Sequence, residues 1–117
     1  MAAFAIPAYT GFVDRAKQSE VLASGRVILV AAQTAAQETY AKNGTLADTN
    51  EAAILTLIGT YSGITGAGAE KYSVNISTLG VVTNIVFTDG TYRAVYDGAN
   101  WTTSKDSTAV TTEVSIP

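Results

Sequence analysis

F-V-D-R-A-K-Q-S-E-V-L-A-S-G-R-V-I-L-V-A-A-Q-T-A-A-Q-E-T-Y-A-K-N-G, Phe12 to Gly44, is dense in alanine and interrupted before its end only by Gly25. Such a stretch favours helix. Two series recur at helical spacing within it: Phe12, Ala16, Ala23, Val27, Val30 and Thr34, and then Leu22, Leu29, Ala36 and Tyr40. Together they predict a wide apolar stripe. Val27 to Ala32 (V-I-L-V-A-A) is apolar all round, so that segment should be covered on more than one side. Asn43-Gly44 supplies the stop, because either residue can take the left-handed conformation that ends a helix.

Upstream of this stretch, Pro7 and Gly11 are the only breakers, and no side chain from Met1 to Val13 is charged. A signal peptide is a poor explanation, since a basic start and a proper apolar run are both missing. Two readings stand: an ordinary apolar helix start, or the stump of a longer apolar helix begun at a new methionine. No segment reaches the roughly 18 consecutive apolar residues of a spanning helix. Length makes the same point differently. About forty helical residues extend roughly 60 Å, whereas a compact chain of this size is about 35 Å across. The remaining residues cannot cover such a rod, and its uncharged start should protrude. Phe4, Ile6, Tyr9, Phe12 and Val13 would then be exposed at a cost, so the sequence asks for a partner or a membrane.

After Gly44 the pattern changes. Asp48, Thr49 and Asn50 are candidate N-caps and Glu51 suits a first turn, which predicts a short helix from about Asn50 to Ile58. Ser62 to Gly68 reads as a loop. Tyr72, Val74 and Ile76 alternate with polar neighbours, Val82 to Thr88 is a denser strand, and Thr91 to Tyr96 follows the turn signal Asp89-Gly90. Asp97-Gly98 marks another turn, and β-branched Thr108 to Ile116 reads as a last strand. The expected fold is therefore α+β: a long N-terminal helix (residues 1–44) packed on an antiparallel β-meander of about four strands. Residues 45–117 supply the loop and the sheet head, in one domain with the helix. A chain of 117 residues supports one core rather than two.

Composition excludes much chemistry. Histidine and cysteine are both absent, which removes disulfides, thiolate nucleophiles, zinc sites of the usual kind and histidine acid–base catalysis. Only 15% of residues are charged and the net charge is −3, unlike the basic surface a nucleic-acid binder needs. The ten carboxylates form no pair that spacing can place; Asp89, Asp97 and Asp106 lack the ligand spacing of a calcium loop and read as turn residues. A Ser–Lys dyad has four lysines to draw on, none in a recognisable frame, and the glycines of Gly59 to Gly68 lack the context of a phosphate loop. No catalytic residue, cofactor or metal is expected. Asn75-Ile76-Ser77 and Asn100-Trp101-Thr102 match the N-glycosylation triplet, a pattern common enough to arise by chance in a chain with seventeen threonines and eight serines. Tyr92, Tyr96 and Trp101 are candidates for a sugar-stacking platform, with packing on sheet faces as the plainer alternative. Lys17 and Glu20 lie within one helical turn and can pair at the surface.

The run Ala2-Ala3-Phe4-Ala5-Ile6-Pro7-Ala8-Tyr9, followed by Phe12-Val13-Asp14-Arg15, resembles the first helix of type IV pilins. Ser19-Glu20 follows about three residues later than in the commonest family pattern, and Ala35 to Gly44 (A-A-Q-E-T-Y-A-K-N-G) is similar to the family's helix end. The resemblance covers about forty residues. It implies a subunit that polymerises with copies of itself into a helical surface filament, handled by pilus assembly machinery and membrane-anchored before assembly. Phe4, Ile6, Pro7, Tyr9, Phe12 and Val13 would be the filament-assembly part of the helix. Pro7 matches the family's helix proline, near which the helix loosens or kinks, although a first-turn proline is equally tolerated. The processing motif, its glutamate and most of the spanning helix would lie upstream of Met1, and the shortened chain should be monomeric in dilute solution. The lack of cysteine sets it apart from pilins stapled by a C-terminal disulfide. A pseudopilin of a type II secretion or DNA-uptake system is the alternative within this architecture, and a carbohydrate-binding surface module the alternative outside it.

Overall fold

The structure is a computed structural model; it describes residues 2–117, with side chains from Val13 onward. A single helix, α1 (Ala2–Asn43), forms the spine. It ends where the sequence places the stop: Gly44 has φ +76°, and its N–H donates to Tyr40 O at 2.7 Å. A 3-10 turn (Asp48–Asn50) leads into α2 (Glu51–Ser62), which lies along α1. The candidate cap residues act in the turn rather than at the start of α2, because Asn50 Oδ1 accepts the Ala47 N–H at 2.9 Å. The second helix also runs four residues beyond the expected Ile58. Thr56, Thr60 and Ser62 return their hydroxyls to carbonyls four residues back, and Gly63 at φ +76° closes the helix.

The head is a five-stranded sheet in the order β4-β3-β2-β1-β5, formed by β1 (Lys71–Ile76), β2 (Val82–Thr88), β3 (Tyr92–Tyr96), β4 (Trp101–Lys105) and β5 (Glu113–Ser115). The α+β class and the meander are as the sequence implies, with two refinements. Trp101–Lys105 is a strand that the sequence reading passes over; W-T-T-S-K shows no apolar alternation because its helix-facing positions after Trp101 are the polar Thr103 and Lys105, which contact Gln18 and Tyr92. Of Thr108 to Ile116, only Glu113–Ser115 is strand, and it pairs parallel to β1 rather than extending the meander. The segment between crosses from one sheet edge to the other, held by Arg93, whose guanidinium donates to Thr108 O at 2.9 Å.

One face of the sheet carries Tyr72, Val74 and Ile76 of β1, Val82, Ile85 and Phe87 of β2, Ala94 of β3 and Val114 of β5, all buried against the helices. The facing stripe of α1 is Val21, Gly25, Ile28, Ala31, Ala32, Ala35 and Ala36, with Ile54 and Ile58 from α2. This corrects the expected stripe. Of the first series, Ala16, Ala23, Val27, Val30 and Thr34 all point to solvent; of the second, Ala36 is in the core while Leu22, Leu29 and Tyr40 flank it. Helical spacing marks two apolar faces here, and the one that is small and flat is covered. Alanine and glycine let the helix approach sheet and α2 together, whereas valines would hold them apart.

Candidate functional site

The head grips the second half of α1 at named points. Gln33 and Gln37, one turn apart, both donate side-chain N–H groups to Gly80 O, at 2.8 and 2.7 Å, and Gln33 Oε1 accepts the Val82 N–H at 3.2 Å. Gly80 has φ +78° and lies so close to Tyr40 and Gln37 that a side chain has no room, so glycine there both makes the β1–β2 turn and admits the clamp. Further toward the start of α1, Trp101 packs on Gly25, Thr103 Oγ1 donates to Gln18 Oε1 at 3.1 Å, and the Tyr92 hydroxyl donates to the Asp14 carboxylate. That bond raises the Tyr92 pKa above its ordinary value. The tyrosine–carboxylate pair is the contact nearest the uncharged stretch. Val13 is half-buried; Phe4, Ile6, Pro7, Tyr9 and Phe12 lie outside the residues whose side chains are described.

Opposite the sheet, α1 presents an open stripe. Val30 is 67% exposed and Val27 45% exposed, in line with Ala16, Ala23 and Thr34. Arg26, Val27, Val30, Ala31 and Thr34 line a shallow groove with Tyr61 of α2, about 360 Å³ in volume. The Tyr61 hydroxyl closes one end by donating to Glu38 Oε2 at 2.6 Å, which raises the tyrosine pKa. This stripe is the series to which Phe12 belongs by spacing. Val27 and Val30 are the two large apolar side chains held out on this face among the described residues, beside small Ala16 and Ala23 and the charged Glu20 and Arg26, and such a patch suits contact with another surface.

The aromatic candidates are placed as packing groups. Tyr92, Tyr96 and Trp101 lie on the helix-facing side of the sheet, where Tyr96 pairs with Trp101 across β3 and β4. Tyr92 is 7% exposed with its hydroxyl engaged, and Lys105 Nζ sits 6.0 Å from its ring centroid. The Tyr96 and Trp101 rings are tilted against each other at 5.2 Å, with Trp101 seated on Gly25. Burial under the helix leaves no three-ring platform on the surface, so the sugar-stacking reading has no open site among these residues.

The aspartates are turn residues, each with its own backbone partners. Asp89 Oδ1 accepts from Thr91 N and Tyr92 N, at 2.9 and 2.8 Å. Asp97 Oδ1 accepts from Ala99 N and Asn100 N, at 2.9 and 2.7 Å, and these N–H groups hold its pKa below the carboxylate range. Asp106 Oδ1 accepts from Thr108 N at 2.9 Å, with Arg93 3.8 Å from its other oxygen. No group of three or more potential metal ligands gathers among the described residues. The surface pair Lys17–Glu20 forms at 3.4 Å, fully in solvent. Among the described residues, no helix is long and apolar enough to cross a membrane.

Asn43-Gly44-Thr45, which ends α1, also matches the N-glycosylation triplet. Comparison with protein-family models, with curated proteins and with solved structures finds no match for this chain.

Proposed function

We propose that this chain supplies the head and helical spine of a type IV pilin, a structural subunit that polymerises with its own copies into a surface filament. The observation that carries the reading is the uncovered stripe Ala16, Ala23, Val27, Val30 on the face of α1 that the head leaves open. A helix gripped on one side by a sheet and apolar on the other can be packed twice, once by its own head and once by a neighbour. The molecule measures 63 × 27 × 21 Å, elongated as a helix-led subunit requires. The resemblance of Ala2 to Arg15 to the pilin helix points the same way. Against a sugar-binding module stands the burial of Tyr92 and the packing of Tyr96 and Trp101 under α1.

The test is Val30→Asp in the protein expressed in cells that lack the native copy. The substitution lies at solvent on α1, so the stability of the purified chain should stay within about 0.5 kcal/mol of the original. A carboxylate between packed helices is costly to bury, and filaments counted by electron microscopy should be lost. Normal filaments from the Val30→Asp protein, or none from the unaltered one while the rest of the machinery assembles other fibres, would sink the proposal.

A further inference from the structure

Three of the five asparagines of the chain, Asn43, Asn75 and Asn100, start an N-x-Ser/Thr triplet. Ser and Thr make up about a fifth of the sequence, so composition alone accounts for about one such triplet. The fold treats the three differently. We propose that Asn43 and Asn100 are acceptors for N-linked carbohydrate and that Asn75 is not, so that the finished subunit carries sugar at two turns of its head.

A transferase must bend the triplet so that the hydroxyl two residues on is read together with the carboxamide, and such triplets work in surface loops. Asn43 is the exposed last residue of α1, Gly44 follows at φ +76°, and Thr45 is exposed, its hydroxyl donating only one long bond, to Thr78 O at 3.3 Å, at the surface. Asn100 is the exposed last residue of the Asp97–Asn100 turn and lies outside the ladder, and Thr102 is exposed on β4, which among the described residues pairs on one side only, with Trp101 and Thr102 opposite Tyr96 and Val95 of β3. Among the described residues neither carboxamide makes a hydrogen bond within the chain. Asn75 is the opposite case. Its side chain is exposed, but β1 is paired on both sides, with Asn75 opposite Asn84 and Ser115. Ile76 is 1% exposed in the core, and Ser77 Oγ already accepts from Leu79 N and Val81 N, at 3.3 and 3.2 Å. Bending that triplet would break two ladders and draw Ile76 out of the core.

The chemistry requires an oligosaccharide linked through its anomeric carbon to a polyprenyl pyrophosphate. The Asn Nδ2 forms a bond to that carbon, the carbon–oxygen bond to pyrophosphate breaks, and the pyrophosphate keeps the electron pair. Nitrogen loses one proton to a base of the transferase, and nothing is oxidised or reduced. Neither acceptor interrupts the open stripe of α1: Asn43 ends the helix, and Asn100 opens the strand whose Trp101 packs on the sheet-facing Gly25. Sugar there is compatible with the proposed filament contact, and the inference rests on that reading only for exposure of the head to a transferase outside the cytoplasm.

The experiment uses the chain purified from the cells that make it. Trypsin cuts after Lys42, Lys71, Arg93 and Lys105, so each triplet falls in its own peptide. Mass spectrometry should find saccharide additions on the peptides that hold Asn43 and Asn100, removed when the unfolded intact chain is treated before trypsin with a glycan-releasing amidase that leaves aspartate behind. The Asn75 peptide should be bare. Asn43→Gln and Thr45→Ala should each abolish the first addition, and Asn100→Gln and Thr102→Ala the second. Bare peptides at both positions, additions that resist the amidase, or sugar on Asn75 as well would overturn the inference. Electron microscopy of the same cells separates the two readings, since filaments without sugar refute only the acceptors and sugar without filaments refutes only the pilin.

Discussion

Gly25 lies inside α1, where replacing glycine by alanine ordinarily stabilises a helix by about 1 kcal/mol. In this protein the sign should reverse. A methyl group at position 25 would stand 2.7 Å from Cζ3 and 2.9 Å from Cη2 of Trp101, and 3.6 Å from the Ala94 Cβ. Carbon atoms in good contact are roughly 3.5–4.0 Å apart, so helix or ring must shift by most of an ångström. The ring is not free to move without loss, because it packs on Tyr96 with centroids 5.2 Å apart and borders the core. Overpacking of this kind costs about 1–3 kcal/mol. Set against the propensity gain, Gly25→Ala should lose about 1 kcal/mol net, a fall of about 4–6 °C in thermal midpoint for a domain of this size. Urea unfolding followed by circular dichroism measures it, and Trp101→Ala supplies the control. With the ring removed the clash is gone, and the same Gly25→Ala change should stabilise by about 1 kcal/mol, giving a coupling near 2 kcal/mol between the two positions. A stabilising Gly25→Ala in the original chain, or an equal effect in both backgrounds, would refute the idea that this glycine sets how closely helix and sheet approach.

Gly80→Ala should be more damaging, by about 2 kcal/mol, since φ +78° strains any side chain and the new methyl meets Tyr40 Cβ at 3.1 Å and Gln37 Nε2 at 3.2 Å; the urea midpoint reads it. Glu51 Oε2 accepts the Ile116 N–H at 2.7 Å, so Glu51→Ala should cost about 1–2 kcal/mol, with faster amide exchange at Val114 and Ile116 than in β2, while Glu51→Gln keeps most of the protection. On the acid side, the N–H groups of Asn100 and Ala99 hold the Asp97 pKa down; its contribution is complete above the ordinary carboxylate pKa of about 3.9 and is lost as pH falls through the folded value. Asp97→Asn should flatten that limb in urea midpoints taken from about pH 5 to about pH 2. On the alkaline side, the Asp14 hydrogen bond raises the Tyr92 pKa, so its contribution is complete below about pH 10 and is lost as pH rises through the folded value. Tyr92→Phe should remove this alkaline component, and an unchanged profile would count against the Tyr92–Asp14 bond.

Local signals carry a good part of this molecule. The helix stop at Asn43-Gly44, the alternation of Tyr72, Val74 and Ile76 and the turns at Asp89-Gly90 and Asp97-Gly98 are each read from a few neighbouring residues, and each forms as read. Trp101–Lys105 was illegible for a physical reason: after Trp101 its helix-facing positions are polar, with Thr103 bonded to Gln18 and Lys105 lying over Tyr92, so no apolar period shows. The last strand was legible in its existence but not in its length or direction, since only Glu113–Ser115 pairs, and parallel to β1.

Sequence alone thus determined the class of the fold, the absence of histidine and cysteine chemistry, and a helix too long for its head. Tertiary structure decided which apolar face of that helix is used at home. Periodicity gives Val27 and Val30 the same claim to the core as Ile28 and Ala32. Packing separates them, because a sheet and a second helix close down together on the face that carries Gly25, Ala31, Ala32, Ala35 and Ala36 beside Val21 and Ile28, and Val27 and Val30 stay exposed on the other.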